Sequence, residues 1–239
     1  MMNRFLCRCI CVAAVLIVLG AGVANGATGL YAVPSGRRET AEEKSIYSYV
    51  QVPKEYCKDA RWTGDWVEDE YEGQEFFSFG CGICCLTNIY DTLAIENKCD
   101  AVTPDEMMDM AEESTGYHPV NGRGAISWEH MQQMCEHFGL DAVVCRKPTD
   151  YETFRDDVKN SDATTVLVCK DNDAALWFYT NGHYVTLWLY DDKTDTVFVS
   201  DSSGLFNRQR VKLKQVYDAL KTRSDAQYMC VKKITDNQD

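Results

Sequence analysis

Apolar residues first recur at helical spacing in the middle of the chain. They lie three or four positions apart from about Gly82 to Glu96, which predicts a helix there. Thr103-Pro104-Asp105-Glu106 is a capping box with proline at the first helical position, so a second helix is expected to run to about Ser114. Ser127 is placed to cap a third helix that continues through His137. The first patterned region is therefore helical.

The period changes after the third predicted helix. Apolar and β-branched runs at 140–145 and 163–170 predict strands, and a helix capped by Asp150 is expected between them, ending near Lys159. A helix over about 213–220 and a strand over 227–234 are predicted to close the chain. Helices come first and an antiparallel sheet follows, which is an α+β order.

An alternating stretch between these elements predicts a hairpin, whose first strand begins near Tyr184 and whose second ends at Asp201. A turn centred on Lys193 would place Asp201 opposite Val185. Because side chains alternate along a strand, His183 and Asp201 would then share one face, one diagonal step or about 5 to 8 Å apart. An imidazole and a carboxylate at that separation can hydrogen-bond.

The N-terminal region differs from the rest of the chain. Residues 1–26 combine a basic start, an uncharged apolar run and small residues at Ala24-Asn25-Gly26, which predicts a signal peptide, with an uncleaved anchor as the alternative. Residues 27–60 are polar and are expected to be a linker, followed by a domain over 61–235. These features predict a secreted or extracytoplasmic protein, which an uncleaved N-terminal segment would anchor to the membrane.

Composition and charge restrict the partners. Hydrophobic residues make up 45% of the chain, as in a globular protein, and the formal net charge is -13. A surface this acidic repels nucleic acid and anionic lipid. Membrane contact is therefore expected only through an uncleaved N-terminal segment. A peptide or protein substrate is expected, and a basic one would be attracted.

The candidate chemistry begins at Cys81, which lies between two glycines where the first helix starts. Nine of the 12 cysteines follow the predicted export segment, an odd number that leaves at least one unpaired within the chain. A cysteine at a helix N-terminus favours the thiolate form. His183 would serve as its base, and Asp201 would orient His183.

These residues resemble a known family. Gly80-Cys81-Gly82, Gly182-His183-Tyr184-Val185 and Val197-Phe198-Val199-Ser200-Asp201 are similar to three blocks of the papain-fold cysteine peptidases related to the bacteriocin double-glycine leader peptidases, cysteine peptidase family thirty-nine. The resemblance spans roughly 74–220. It implies a papain-like fold and a hydrolase that cleaves a peptide or amide bond, with Cys81 as nucleophile, His183 as base and Asp201 as orienting acid.

The oxyanion side departs from that family. The resemblance implies a glutamine six residues before the nucleophile, whereas Gln74 is seven residues before Cys81 and Glu75 occupies the sixth position. Either a shift of one residue retains Gln74 as the oxyanion donor, or the Cys81 backbone N–H acts alone. Loss of one such donor costs about a hundredfold or more in rate.

Two other functions stay open. A papain-fold module that binds peptides or glycans without cleaving them would keep the fold and lose the chemistry. Cys81-Gly82-Ile83-Cys84 is also a C-x-x-C motif, which a thiol-disulfide oxidoreductase would use, although no strand is predicted before it. Cys81, Cys84 and Cys85 are three closely spaced thiols that a zinc site could use, but no second C-x-x-C or H-x-x-x-H supplies the usual other half. Neither a metal nor a cofactor is therefore expected.

Overall fold

The computed structural model describes residues 37–57, 59–119, 124–170 and 176–234. The predicted export segment, 1–26, lies outside them. None of the helices in the described part of the chain is long and apolar enough to cross a membrane.

The elements form a helical half followed by a sheet half. The α-helices are α1 (Ala41–Ser45), α2 (Phe76–Phe79), α3 (Cys81–Ile89), α4 (Pro104–Thr115), α5 (Trp128–His137), α6 (Tyr151–Lys159) and α7 (Leu213–Ala219). A π-helical segment, Tyr90–Ala94, continues α3, and 3₁₀ helices lie at Lys54–Tyr56, Ala60–Trp62, Asp65–Glu68 and Lys98–Asp100. The strands are β1 (Glu70–Tyr71), β2 (Gln74–Glu75), β3 (Leu140–Cys145), β4 (Ala163–Val168), β5 (His183–Asp191), β6 (Thr196–Ser200), β7 (Gln209–Lys212) and β8 (Tyr228–Lys233).

A six-stranded antiparallel sheet lies at the centre of the fold, in the order β3-β8-β4-β5-β6-β7. Alternate residues of β5 pack into hydrophobic clusters on opposite faces of the sheet. Tyr184 and Trp188 pack in a cluster with α3, α4 and α5, whereas Val185 and Leu187 pack in another with α6 and α7. The predicted α+β order is confirmed, and helices cover both faces of the sheet.

Local signals set most of the element boundaries. The Thr103–Glu106 capping box starts α4, while Ser127 and Asp150 accept hydrogen bonds from the first turns of α5 and α6. Gly139, with φ of 73°, follows α5. No sequence pattern predicts β7, because Val211 is its one buried residue.

The described part of the predicted linker packs against the domain and is not an extended, solvated segment. Thr40 caps α1, and Glu43 is fully buried, where it accepts a hydrogen bond from Arg210 Nε at 2.8 Å. Val50 is also fully buried. Polar composition indicates a solvated segment, but Glu39 and Glu43 are paired with Arg208 and Arg210, which lie far away in sequence.

Candidate active site

Cys81 is the first residue of α3. The short helix α2 ends at Phe79, and Gly80, with φ of -67° and ψ of 0°, joins the two helices. The thiol therefore lies in the first turn, where helix N–H groups and the positive end of the helix dipole favour a thiolate. Only 7% of the residue is exposed, so the sulfur is shielded from bulk water.

Gly82 lets the start of α3 lie directly against the start of β5. A Cβ atom at this position would lie 2.4 Å from Ile126 Cγ2 and 3.2 Å from Tyr184 Cδ2. Since Tyr184 follows His183, a larger residue would force apart the two segments that carry the thiol and the imidazole. Gly82 thus has a packing role in addition to any access it gives a substrate.

The β5–β6 hairpin brings His183 and Asp201 together. Thr186 pairs with Ser200, so Asp201 follows in the register predicted from the sequence. His183 Nε2 lies 2.8 Å from Asp201 Oδ1. The pairing shifts by one residue between Trp188 and the turn, at a bulge where Leu189 has φ of 48°.

Hydrogen-bond donors surround the carboxylate of Asp201, which is fully buried. Besides His183 Nε2, they are Ser203 N (2.9 Å) and Ser203 Oγ (2.7 Å) at Oδ1, and Trp177 Nε1 (3.1 Å) and Phe206 N (3.2 Å) at Oδ2. Burial disfavours the charged form, but the hydrogen bond and charge of His183, with Ser203 and Trp177, hold the pKa of Asp201 below its usual value. An ionised carboxylate only accepts, so His183 Nε2 carries the hydrogen.

The other ring nitrogen, Nδ1, is left for Cys81, whose side chain interacts with that of His183 and whose Sγ also lies 3.9 Å from Phe79 O. Burial acts against both charged forms. For His183, the hydrogen bonds and charges of Asp201 and Cys81 prevail and raise its pKa to about 10. For Cys81, the hydrogen bond and charge of His183, followed by backbone hydrogen bonds from Tyr184 and Gly82, bring the pKa below its usual value. Both shifts favour a thiolate–imidazolium pair over a neutral thiol and imidazole.

Gln74 lies in β2 with its side-chain amide near the residues that precede Cys81. A Cβ at Gly124 would lie 2.8 Å from Phe79 Cβ and 2.9 Å from Gln74 Oε1, so the amide lies beside Phe79. Gln74 Nε2 is buried and has no hydrogen-bond partner within the described residues. An unpaired buried donor costs about 1 to 3 kcal/mol, which a bound acceptor would offset.

The sequence did not single out Trp177, Tyr179 or Ser203. Tyr179 Oη and Ser203 Oγ are 2.7 Å apart, which extends the hydrogen-bond chain beyond Asp201. Asp201 followed by two serines and a glycine is a signal for a turn in which Asp binds the N–H two residues on, so the Ser203 contact was predictable. Trp177 comes from an irregular segment without such a signal.

The second cysteine of the C-x-x-C motif is poorly suited to thiol exchange. Cys84 is fully buried with a free thiol, and burial, followed by the charges of Cys85 and Cys81, raises its pKa well above the usual value. Within the described residues, α3 follows the helix α2 rather than a strand. The arrangement expected of a dithiol oxidoreductase is therefore not supported.

A comparison with protein families identifies the relationship. The model of the phytochelatin synthase family matches residues 67–228, which contain Gln74, Cys81, His183 and Asp201. The chain belongs to the phytochelatin synthase family. This family has the papain-like cysteine peptidase fold, so the predicted fold and the predicted class of cysteine peptidase-like enzyme are confirmed. A search of curated proteins gave no match for this phytochelatin synthase family member.

Similar solved structures include two bacterial peptidase domains. One is the peptidase domain of Streptococcus ComA, a bifunctional ABC transporter involved in a quorum-sensing pathway. It has 9% identity, covers 65% of this chain and 93% of that chain, and gives a TM-score of 0.42. The other is the N-terminal peptidase C39-like domain of a toxin secretion ATP-binding protein from Vibrio parahaemolyticus. It has 16% identity, covers 56% of this chain and 84% of that chain, and gives a TM-score of 0.32.

Proposed function

We propose that this member of the phytochelatin synthase family cleaves a peptide or amide bond through Cys81, His183 and Asp201. The observation that carries the proposal is the 2.8 Å contact of His183 Nε2 with the buried carboxylate of Asp201, while the Cys81 thiol interacts with the same imidazole. The donors around Asp201 keep it ionised, and it in turn supports a charged imidazole. A nucleophile, its base and an orienting acid are the groups that thiol acyl transfer needs.

In the proposed reaction, Cys81 Sγ attacks the substrate carbonyl and forms a tetrahedral intermediate with a negative oxygen. Donors for that oxygen are the Cys81 N–H and Gln74 Nε2, which is buried and unpaired within the described residues. The imidazolium of His183 gives its proton to the leaving amine as the C–N bond breaks, which leaves an acyl thioester. His183 then takes a proton from water, the hydroxide oxygen attacks the thioester, and the thiolate departs.

A second candidate is transfer of the acyl group to an amine instead of water. Phytochelatin synthase acts as a transpeptidase as well as a peptidase. Burial favours this outcome here, because the exposed fractions of Cys81 and His183 are only 7% and 5%. A shielded thioester would persist until an amine bound beside it.

The proposed substrate is a peptide or protein, preferentially one with basic residues. A net charge of -13 attracts cations and repels nucleic acid. A comparison of matched peptides that carry lysine or glutamate around the cleaved bond, at low and high salt, tests this preference. Equal rates for both series would contradict it.

Alkylation by iodoacetamide tests the nucleophile, and Cys99 serves as an internal reference. Cys99 is exposed, whereas Cys81 is buried, so steric access alone would label Cys99 first. We expect Cys81 to react faster at pH 6 to 7, because its thiolate is stabilised, and His183→Ala to abolish this advantage. Faster labelling of Cys99 in the wild-type protein would contradict the proposal.

Turnover separates the enzyme from a binding module. Cys81→Ala should abolish both hydrolysis and hydroxylamine-trapped acyl transfer in a peptide library. Ligand binding by wild type and Cys81→Ala, with no product from either, would instead indicate a module that binds without cleaving. Product dominated by hydroxamate at millimolar hydroxylamine would favour acyl transfer.

A further inference from the structure

The segment before the family-matched region is built into the proposed active site. We call residues 46–52 the N-terminal strap; they precede the match, which begins at residue 67. The strap runs beside the loop that carries Asp201. Asn207 joins the two, since its Oδ1 accepts from Asp201 N at 3.0 Å and its Nδ2 donates to Ser48 O at 2.9 Å. Ser48 Oγ also lies 2.7 Å from Ser200 Oγ.

Gln51 contacts both halves of the site. On the sheet side, its N–H donates to Ser202 O at 2.9 Å, and its Oε1 accepts from Ser202 Oγ at 2.7 Å. On the helical side, its Nε2 donates to Phe77 O at 2.6 Å. Ser202 follows Asp201 directly, and Phe77 lies four residues before Cys81. One buried side chain therefore connects the segment that carries the thiol to the loop that carries the carboxylate.

The bond to Phe77 bears on the helix break before Cys81. In a continuous α-helix, the Cys81 N–H would donate to Phe77 O, four residues earlier. Here α2 ends at Phe79 and α3 begins at Cys81, and Gln51 supplies a donor to that carbonyl. The side chain thus acts as a cap for α2, which lets the chain turn at Gly80 and direct the first turn of α3 toward the site.

We propose that Gln51 is a positioning residue that holds the Cys81 thiol in register with the His183–Asp201 pair. The inference rests on the proposed function, because it concerns the geometry of the same three residues. The hydrogen bonds of Gln51 go to Ser202 and Phe77 and to none of the three reacting side chains. Its effect is to fix the distance between two separately folded segments, on which the thiolate–imidazolium pair depends.

The test is the pH profile of Cys81 alkylation by iodoacetamide in Gln51→Met. Methionine keeps the length and volume of the side chain and the backbone bond to Ser202, but it removes both side-chain hydrogen bonds. We expect the midpoint of the profile to move up by about one pH unit, because a looser ion pair stabilises the thiolate less. Ser202→Ala, which removes one of these bonds, should give a smaller shift in the same direction and serves if Gln51→Met does not fold.

Tyr49→Phe is the matched control. It removes another buried hydrogen bond of the strap, from Tyr49 Oη to Asp91 Oδ2 at 3.0 Å, beyond the far end of α3. We expect it to lower the melting temperature without moving the alkylation profile. Superimposed profiles for wild type and both site variants, or an equal shift in Tyr49→Phe, would overturn the inference. If Cys81 of the wild-type protein reacts no faster than the other cysteines, the proposed function is contradicted, and the inference is contradicted with it.

Discussion

His183 Nε2 and Asp201 Oδ1 lie 2.8 Å apart, and both residues are almost completely buried. Asp201 sits outside the sheet, one position after β6 ends, while His183 is the first residue of β5. The contact therefore forms at the open end of the hairpin, where strand pairing stops and loop residues supply further donors. Its strength depends on those donors as much as on the hairpin.

Asp201→Asn should destabilise the protein as well as weaken the site. Either orientation of the amide places its NH₂ group against protein donors, Ser203 N on one side and Trp177 Nε1 on the other. We expect the free energy of unfolding in urea to fall by about 3 kcal/mol, because buried donors lose their acceptor and His183 loses its counter-charge. Ser203→Ala removes a single donor and should cost about 1 kcal/mol. Equal losses in the two variants would contradict the argument.

The pH dependence should separate hydrolysis from alkylation. His183 has a pKa of about 10 in the folded protein, against an ordinary value of 6.5. Hydrolysis needs the imidazolium as a proton donor, so the rate should fall as pH rises through about 10. Alkylation needs only the thiolate and should not fall there. A parallel decline of both rates in the same pH titration would count against this protonation scheme.

The same pKa makes a prediction about stability. A raised pKa stabilises the folded state fully below pH 6.5, and this contribution is lost as pH rises through about 10. The difference in free energy of unfolding between wild type and His183→Gln should therefore shrink over that interval. Urea titrations of both proteins at matched pH values measure it. A constant difference would mean that His183 is not charged at neutral pH.

Gln74→Leu tests the oxyanion side alone. We expect turnover of a cleaved peptide to fall by about a hundredfold or more, because one donor to the developing oxyanion is lost. Alkylation of Cys81 should be unchanged, since displacement of iodide creates no oxyanion. Glu75→Ala is the control at the exposed neighbouring position. A loss of turnover in Glu75→Ala, with Gln74→Leu active, would refute the assignment.

Gly82→Ala should weaken both packing and reactivity. The added methyl group would overlap Ile126 and press on Tyr184, whose backbone hydrogen-bonds to the thiol. We expect a loss of about 1 to 3 kcal/mol in unfolding free energy and slower alkylation of Cys81. Gly116→Ala is a useful comparison, because its φ of 71° gives strain without a clash and it lies at the end of α4. Slower alkylation in that variant too would point to general loosening.

Local sequence signals predicted the elements well because they act over a few residues. The capping box at Thr103 and the N-caps at Ser127 and Asp150 each bond within their own first turn. The contact of His183 with Asp201 was also predictable, since two strands joined by a short turn leave few registers. The bulge at Leu189 was not, because leucine gives no sign of a positive φ.

What the sequence could not predict depends on distant partners. Gln51 contacts Ser202 and Phe77, and Glu43 is buried because Arg210 lies beside it. Such pairings leave no periodic pattern in the sequence. A polar segment whose side chains have buried partners therefore cannot be distinguished by sequence from a solvated one. Trp177 is similar, since its bond to Asp201 arises from the path of an irregular segment.

The bulge in β5 separates the tip of the hairpin from the end that carries His183 and Asp201. From Trp188 toward the site, the pairing with β6 follows one register, and from Asp191 to the tip it follows another. Residues 192–194 at the tip are exposed. A peptide inserted after Lys193 would thus be tolerated without displacing Asp201, which gives the protein a natural attachment point for a fluorophore or an affinity tag.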